Sequence, residues 1–156
     1  MISNTSQNTV NPIAIACDHG GVEMKLALVE RLVEEGYEVL DLGTNTTTSV
    51  DYPDYANKLA RALIDEKALR GVLICGSGIG ISIAANRYPQ IRAALVLDVI
   101  SARLCREHNN ANVIVFGGRM LEIEMACDCL NIFLNTEFEG GRHEKRVAKL
   151  SKPNSR

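Results

Sequence analysis

Three things are missing from this chain, and each narrows what it can be. No charge of one sign predominates. Lys and Arg number 17 against 19 Asp and Glu, a net charge of -2. That balance argues against a protein that coats nucleic-acid phosphates, although a local basic cluster could still hold one small anion. No Cys-x-x-Cys occurs among the five cysteines Cys17, Cys75, Cys105, Cys127 and Cys129. An odd count without paired spacing, most of it inside apolar runs, reads as reduced thiols and not as a disulfide framework. Cys127-Asp128-Cys129 lacks zinc-finger spacing and Cys17-Asp18-His19 is only a fragment of a metal site, so no metal is expected. Finally, residues 1–11 carry neither charge nor a long apolar run. They read as a flexible polar leader, not as a secretory signal or membrane span, and the expected location is cytoplasmic.

What is present is one domain's worth of alternating signals. A chain of 156 residues can bury about 70% of the surface that it exposes unfolded, enough for one sizeable core. Pro12 to Cys17 is a buried-strand pattern stopped by Asp18-His19-Gly20-Gly21. A helix follows from Val22 to Glu35, with Leu26, Val29, Leu32 and Val33 on its inner face and Gly36 as its stop. Tyr37 to Leu42 reads as a second strand. Thr44 to Ser49 is a polar loop, and Tyr52-Pro53 opens a helix, because Pro is tolerated in a first turn. Further strands are expected at Gly71–Cys75, Ile91–Leu97 and Asn112–Phe116. Each leads to a helix, the last two being Glu122–Leu134 and one from about Arg142.

No repeat and no second boundary interrupts the pattern, so residues 12–150 are expected to form a single domain followed by a polar tail at 151–156. The fold class is α/β: a three-layer α/β/α, Rossmann-like, five-stranded parallel sheet with helices on both faces. Such sheets bind ligands beyond the carboxyl ends of their strands. The candidate residues below are expected to gather there.

Gly76-Ser77-Gly78-Ile79-Gly80 follows the third strand and opens a helix. Glycines permit a tight turn whose N–H groups converge on an anion, and the helix adds its positive end. The occupant would be a phosphate or an oxyanion formed during reaction. No Gly-Lys-Ser/Thr follows, so the phosphate-loop pattern fails. The dinucleotide fingerprint fails in part, since its third glycine would fall at Ile81. Asp98, at the end of the next strand, does sit where a ribose-binding acid could, which keeps a nucleotide-binding module as the non-enzymatic alternative. Cys75 immediately precedes the loop. It reads either as a small hydrophobe ending a buried strand or as a thiolate favoured by clustered N–H groups. A thiolate beside an oxyanion nest supplies what proton abstraction next to a carbonyl requires.

The three histidines are His19, His108 and His143. Each could be a surface or capping residue. His108 is favoured as functional by its polar, helix-ending surroundings, and His19 by its neighbour Asp18. Arg142 and Arg146 are four apart and would share one helix face, suited either to a phosphate or to ion pairs with Glu139 and Glu144. Arg119, after Phe116-Gly117-Gly118, could add a third cation. The apolar face of Glu122–Leu134 and the late arginine helix suggest a C-terminal segment docked on a second copy.

Together these segments resemble the type B ribose-5-phosphate isomerases, within a larger group that includes galactose-6-phosphate and allose-6-phosphate isomerases. The resemblance is carried by Ala16-Cys17-Asp18-His19-Gly20-Gly21, Asp41-Leu42-Gly43-Thr44, Asp51-Tyr52-Pro53-Asp54-Tyr55-Ala56, the long block Ile74 to Asn86, His108-Asn109, Phe116-Gly117-Gly118-Arg119 and Glu139-Gly140-Gly141-Arg142-His143. It implies interconversion of D-ribose 5-phosphate and D-ribulose 5-phosphate, in the pentose phosphate pathway. Cys75 would be the proton-transfer base, and Gly76, Ser77, Gly78, Ile79 and Gly80 the anion hole. His108 would be the ring-opening acid with Ser77 nearby. Asp18, His19, Tyr52, Asn109, Arg119, Arg142 and Arg146 would contact sugar oxygens or phosphate. It also implies no metal or organic cofactor, a small sugar phosphate as partner and neither nucleic acid nor membrane. The expected assembly is a homodimer or dimer of dimers with shared active sites. Some members use a carboxylate as base, whereas this chain retains Cys75. Six-carbon substrates, allose 6-phosphate or galactose 6-phosphate, remain the enzymatic alternative.

Overall fold

The computed structural model describes residues 11–152. All but Asn11 of the expected leader, and residues 153–156 of the expected tail, lie outside that range. Five strands alternate with helices: β1 Ile13–Cys17, α1 Val22–Glu34, β2 Val39–Asp41, α2 Tyr52–Ile64, β3 Arg70–Cys75, α3 Ile79–Ala85, β4 Ala93–Leu95, α4 Val99–Glu107, β5 Val113–Gly117, α5 Ile123–Asn135 and α6 Glu144–Leu150. Short 3-10 turns at His19–Gly21 and Gly141–His143 lead into α1 and α6. The strands form one parallel sheet in the order β2-β1-β3-β5-β4.

Alternation of side chains along the strands builds two separate cores. Ile13, Ile15, Cys17, Val72, Ile74, Ile114 and Phe116 face one way, against Met24, Leu28 and Leu32 of α1, Ala102 of α4, and Leu130 and Phe133 of α5. Ala14, Ala16, Leu73, Cys75, Val113 and Val115 face the other way, against Ala56, Leu59 and Ala60 of α2 and Ile81 and Ala85 of α3. The small alanines of β1 let α2 approach the sheet closely. The three-layer α/β/α architecture is the one that the alternation of apolar runs implied. No helix among the described residues is long and apolar enough to cross a membrane.

Several boundaries differ from the pattern. The second strand starts at Val39, because the chain before it closes α1: the Gly36 N–H donates to Val33 O at 3.0 Å and the Tyr37 N–H to Leu32 O at 2.9 Å. This is the glycine-terminated helix end, with Gly36 at φ 87°. The fourth strand is confined to Ala93–Leu95 on the sheet edge. The α3 helix begins at Ile79, inside the glycine loop. In α1 the inner face is Met24, Lys25, Leu28 and Leu32, while Leu26 and Val33 are 55% and 58% exposed. The apolar face of α5 is spent on its own core, so it is not the docking surface the sequence suggested. Arg142 and Arg146 do not share one continuous helix, since Arg142 lies in the 3-10 turn and Arg146 in α6.

Candidate active site

Strand order places three loops side by side. β3 lies between β1 and β5, and Cys17 pairs with Ile74 while Cys75 pairs with Gly117. The carboxyl ends of these strands therefore bring together Cys17-Asp18-His19, Cys75 to Gly80, and Gly117-Gly118-Arg119. Backbone hydrogen bonds lock them: Asp18 N–H to Ile74 O at 3.1 Å, Gly118 N–H to Cys75 O at 2.8 Å, and Arg119 N–H to Gly76 O at 3.0 Å.

Within this cluster Cys75 is nearly buried, at 4% exposure, and its Sγ accepts the Gly78 N–H at 3.1 Å. Ser77 Oγ accepts the Ile79 N–H at 3.2 Å. Gly78 has φ 77°, the left-handed conformation that a side chain disfavours, and it turns the chain into α3. Gly80 is needed for a different reason: a Cβ there would lie 2.6 Å from the Tyr52 ring. Tyr52, at the start of α2, thus covers the loop. The Arg119 guanidinium lies over Gly76, with Nη1 3.3 Å from where a Cβ would sit. Asp18 Oδ1 accepts the Gly20 N–H at 2.8 Å and is buried. His19 and Arg119 line a cleft of about 650 Å³ with Gly20, Thr47 and Gly118.

The remaining candidates lie elsewhere, which corrects the expectation that all gather at the carboxyl ends. His108 caps the C-terminus of α4, which runs back along the sheet, and the segment after it enters β5 at Val113. Asn112 O accepts the Gly71 N–H at 2.9 Å, so this turn sits at the amino edge. Val113 pairs with Gly71 and Gly117 with Cys75. The strand between those levels spans about 13 Å at about 3.3 Å per residue. His108, Asn109 and Arg146 line their own pocket of about 300 Å³ with His143, Val147 and Leu150. His108 and His143 stack with ring centroids 4.4 Å apart. Arg142 Nε donates to His143 Nε2 at 3.4 Å. Burial, with the neighbouring His108 and Arg142, pushes the His143 imidazole below its ordinary value, which disfavours its charged form.

His108, Glu139 and His143 hold donor atoms within 4.8 Å of one another, close enough to share a cation. The adjacent Arg142 and Arg146 oppose a dication there and favour an anion. Among the described residues neither of these arginines, nor Arg119, is in an ion pair. The alternative of Glu139 and Glu144 neutralising the pair is therefore not what the structure shows.

The nucleotide alternative loses its acid. Asp98 caps α4, with Oδ1 accepting the Ser101 N–H at 2.7 Å in a reciprocal capping box. Ile81, where the third glycine would stand, is a core residue. Burial disfavours the thiolate at the other cysteines, pushing Cys17, Cys105 and Cys129 each up to about 11 and raising Cys127. Sequence reasoning missed Lys25, which is fully buried and donates to Asp41 and Asn45. The signal was available, since position 25 is in phase with Leu28 and Leu32 on the inner face of α1.

Comparison with known proteins converges on one group. Residues 13–150 match the family described as Ribose/Galactose Isomerase. Ribose-5-phosphate isomerase B of Escherichia coli is 44% identical over 139 residues, covering 89% of this chain and 93% of that one. A crystal structure of a ribose 5-phosphate isomerase from Thermotoga maritima superposes with a TM-score of 0.90 at 48% identity, covering 91% of this chain and 98% of that one. A Mycoplasma genitalium ribose-5-phosphate isomerase B, solved with bound ribulose-5-phosphate, superposes with a TM-score of 0.85 at 37% identity over 90% of this chain and 94% of that one. With nearly the whole domain matched and the Cys75 loop at its centre, the chain belongs to the ribose/galactose isomerase family.

Proposed function

We propose that this chain is an aldose–ketose isomerase interconverting D-ribose 5-phosphate and D-ribulose 5-phosphate, with Cys75 as the base. The observation that carries the reading is the Gly78 N–H donating to Cys75 Sγ at 3.1 Å inside the Gly76–Gly80 loop. That donor stabilises a thiolate, and the neighbouring N–H groups at the start of α3 offer the same support to an oxyanion. Once the sugar ring opens, the thiolate takes the proton from C2, the C1 oxygen becomes an enediolate oxygen against the loop, the hydroxyl proton on O2 passes to O1, and the thiol returns its proton to C1 as the C2 carbonyl forms. Both carbon-bound proton transfers are served from one side by one group. Arg119 above Gly76 and His19 in the same cleft are placed for substrate oxygens or phosphate.

His108, Asn109, Arg142 and Arg146 are assigned the ring-opening and phosphate roles, but within one chain they sit at the opposite edge of the sheet from Cys75. One small sugar phosphate cannot span that depth. A homodimer in which each copy lends its amino-edge group to the other's cysteine loop resolves the separation. The exposed apolar residues Ile79 and Ile83 on α3, and Leu97, Ile100 and Leu104 around α4, flank the edge strand β4 and offer the surface for it. A cytoplasmic location follows from the substrate class, since sugar phosphates do not cross membranes unaided.

A coupled assay with ribose 5-phosphate, allose 6-phosphate and galactose 6-phosphate, run in chelator, tests the assignment. The five-carbon sugar should show the highest kcat/KM, with turnover persisting without metal. A higher kcat/KM on a six-carbon sugar, or loss of activity restored by zinc or magnesium, would overturn it. Tight nucleotide binding without turnover would favour the binding-module alternative.

A further inference from the structure

The loop from Gly43 to Val50 runs between β2 and α2 over the carboxyl edge, and residues 45–49 are all exposed. None of its residues belongs to either core cluster among the described residues, and polar contacts hold it. At its inner end Cys17 N–H donates to Gly43 O at 2.7 Å and Thr44 N–H to Cys17 O at 2.9 Å. Beyond that the anchor is Lys25. Its ammonium is fully buried and reaches three acceptors, each at 2.7 Å: both carboxylate oxygens of Asp41 and Oδ1 of Asn45. Three donors thus meet three acceptors, and Asp41 Oδ1 also accepts the Gly43 N–H at 2.9 Å. Burying a cation costs more than placing an apolar side chain of the same size, so a packing role alone does not account for a lysine here.

The far end of the loop touches the candidate site. The Val50 N–H donates to Nδ1 of His19 at 3.2 Å. A ring nitrogen that accepts an N–H carries no proton, so the neutral imidazole holds its proton on Nε2. Nε2 has no partner among the described residues and is the nitrogen left for a ligand in the cleft that His19 lines beside Arg119.

We propose that Lys25 is a positioning residue: through Asp41 and Asn45 it fixes the Gly43–Val50 loop so that the Val50 N–H occupies His19 Nδ1 and presents Nε2–H as a neutral donor to a substrate oxygen. The donor role rests on the reading of the cleft as the sugar-phosphate site, while the tether and tautomer do not. Lys25 makes no contact with substrate in this account. Its effect passes through the loop backbone to the ring.

Nitrogen NMR of histidine-labelled full-length protein tests the device without any substrate. In the wild type, His19 should show an unprotonated Nδ1 and a protonated Nε2. Lys25→Met should lose that signature and lower kcat/KM on ribose 5-phosphate by tenfold or more, chiefly in KM, because orientation and not the base is affected. Val50→Pro removes the N–H directly and should give the same spectral change, whereas Val50→Ala retains the N–H and should retain the spectrum. Should Lys25→Met fail to fold, Val50→Pro and Asn45→Ala carry the test. A wild-type His19 with its proton on Nδ1, or a folded Lys25→Met with the wild-type spectrum, overturns the tether. A lost signature with unchanged kinetics overturns the donor role. Failure of the wild type to isomerise any sugar phosphate would sink the isomerase reading while leaving the spectra as stated.

Discussion

Replacing Cys75 by serine separates a catalytic thiol from a small core hydrophobe. The side chain is 4% exposed and packs with Leu73, Val115 and Ile81 on the α2/α3 face of the sheet. Serine is nearly isosteric, and its Oγ can still accept the Gly78 N–H that now reaches Sγ at 3.1 Å. The structural loss is therefore about 1 kcal/mol, a small fraction of the stability of an ordinary domain. The chemical loss is of another order. A serine hydroxyl at neutral pH is too weak a base to take a proton from C2, and a positioned acid–base group is worth about 10²–10⁴-fold. In barrier terms that is about 2.7–5.4 kcal/mol. Turnover of ribose 5-phosphate and uptake of solvent deuterium into C1 or C2 should both fall by at least a hundredfold. Ligand binding should persist, because the arginines are unaltered. Alkylation by iodoacetamide should be fastest at Cys75 and slowed by substrate, since the Gly78 N–H supports a thiolate there while burial raises the other four thiols. A folded Cys75→Ser protein with near-normal turnover and exchange would return Cys75 to the core and refute the proton-transfer reading.

Arg142→Ala and Arg146→Ala should each weaken phosphorylated substrate, lowering kcat/KM about ten- to hundredfold, mainly through KM; unchanged kinetics in both would make them ordinary surface charges. Mixing Cys75→Ser with His108→Ala protein under conditions that exchange subunits should restore about a quarter of wild-type activity, because half the dimers are mixed and each mixed dimer has one intact site. Recovery of no activity, or light scattering that shows an active monomer, would place each site within one chain.

Local pattern carried most of the fold. The central strands β1, β3 and β5 are buried on both faces and read as continuous apolar runs, whereas the edge strands β2 and β4 were read too long. The reason is physical. An edge strand keeps only the pairing that its single neighbour gives, and Tyr37 is claimed by the end of α1. The misread face of α1 has a related cause. Leu26 and Val33 looked interior because they are apolar, and Lys25 looked exterior because it is charged. Periodicity decides such cases better than polarity when a buried cation finds three acceptors. The glycine loop was legible because each requirement is local: Gly78 for its turn, and Cys75 for its place at the end of β3. Gly80 shows the limit, since its reason is the Tyr52 ring, distant in sequence.

The division of the candidate residues between two edges of the sheet could not be read from spacing, because spacing does not say which way a crossover helix runs. Topology does. In a parallel sheet each helix leaves the carboxyl edge and returns its own C-terminus to the amino edge, so a residue that ends a helix is placed opposite one that ends a strand. Cys75 ends a strand and His108 ends a helix. Any chemistry that requires both must therefore bring the amino edge of one copy against the carboxyl edge of another. The two pockets, about 650 Å³ and about 300 Å³, have no lining residue in common. Among the described residues, Arg119 of the first and Arg146 of the second are in no ion pair. In the proposed homodimer, the exposed aliphatic residues beside β4 would supply the apolar contact, next to the loop that bears the cysteine.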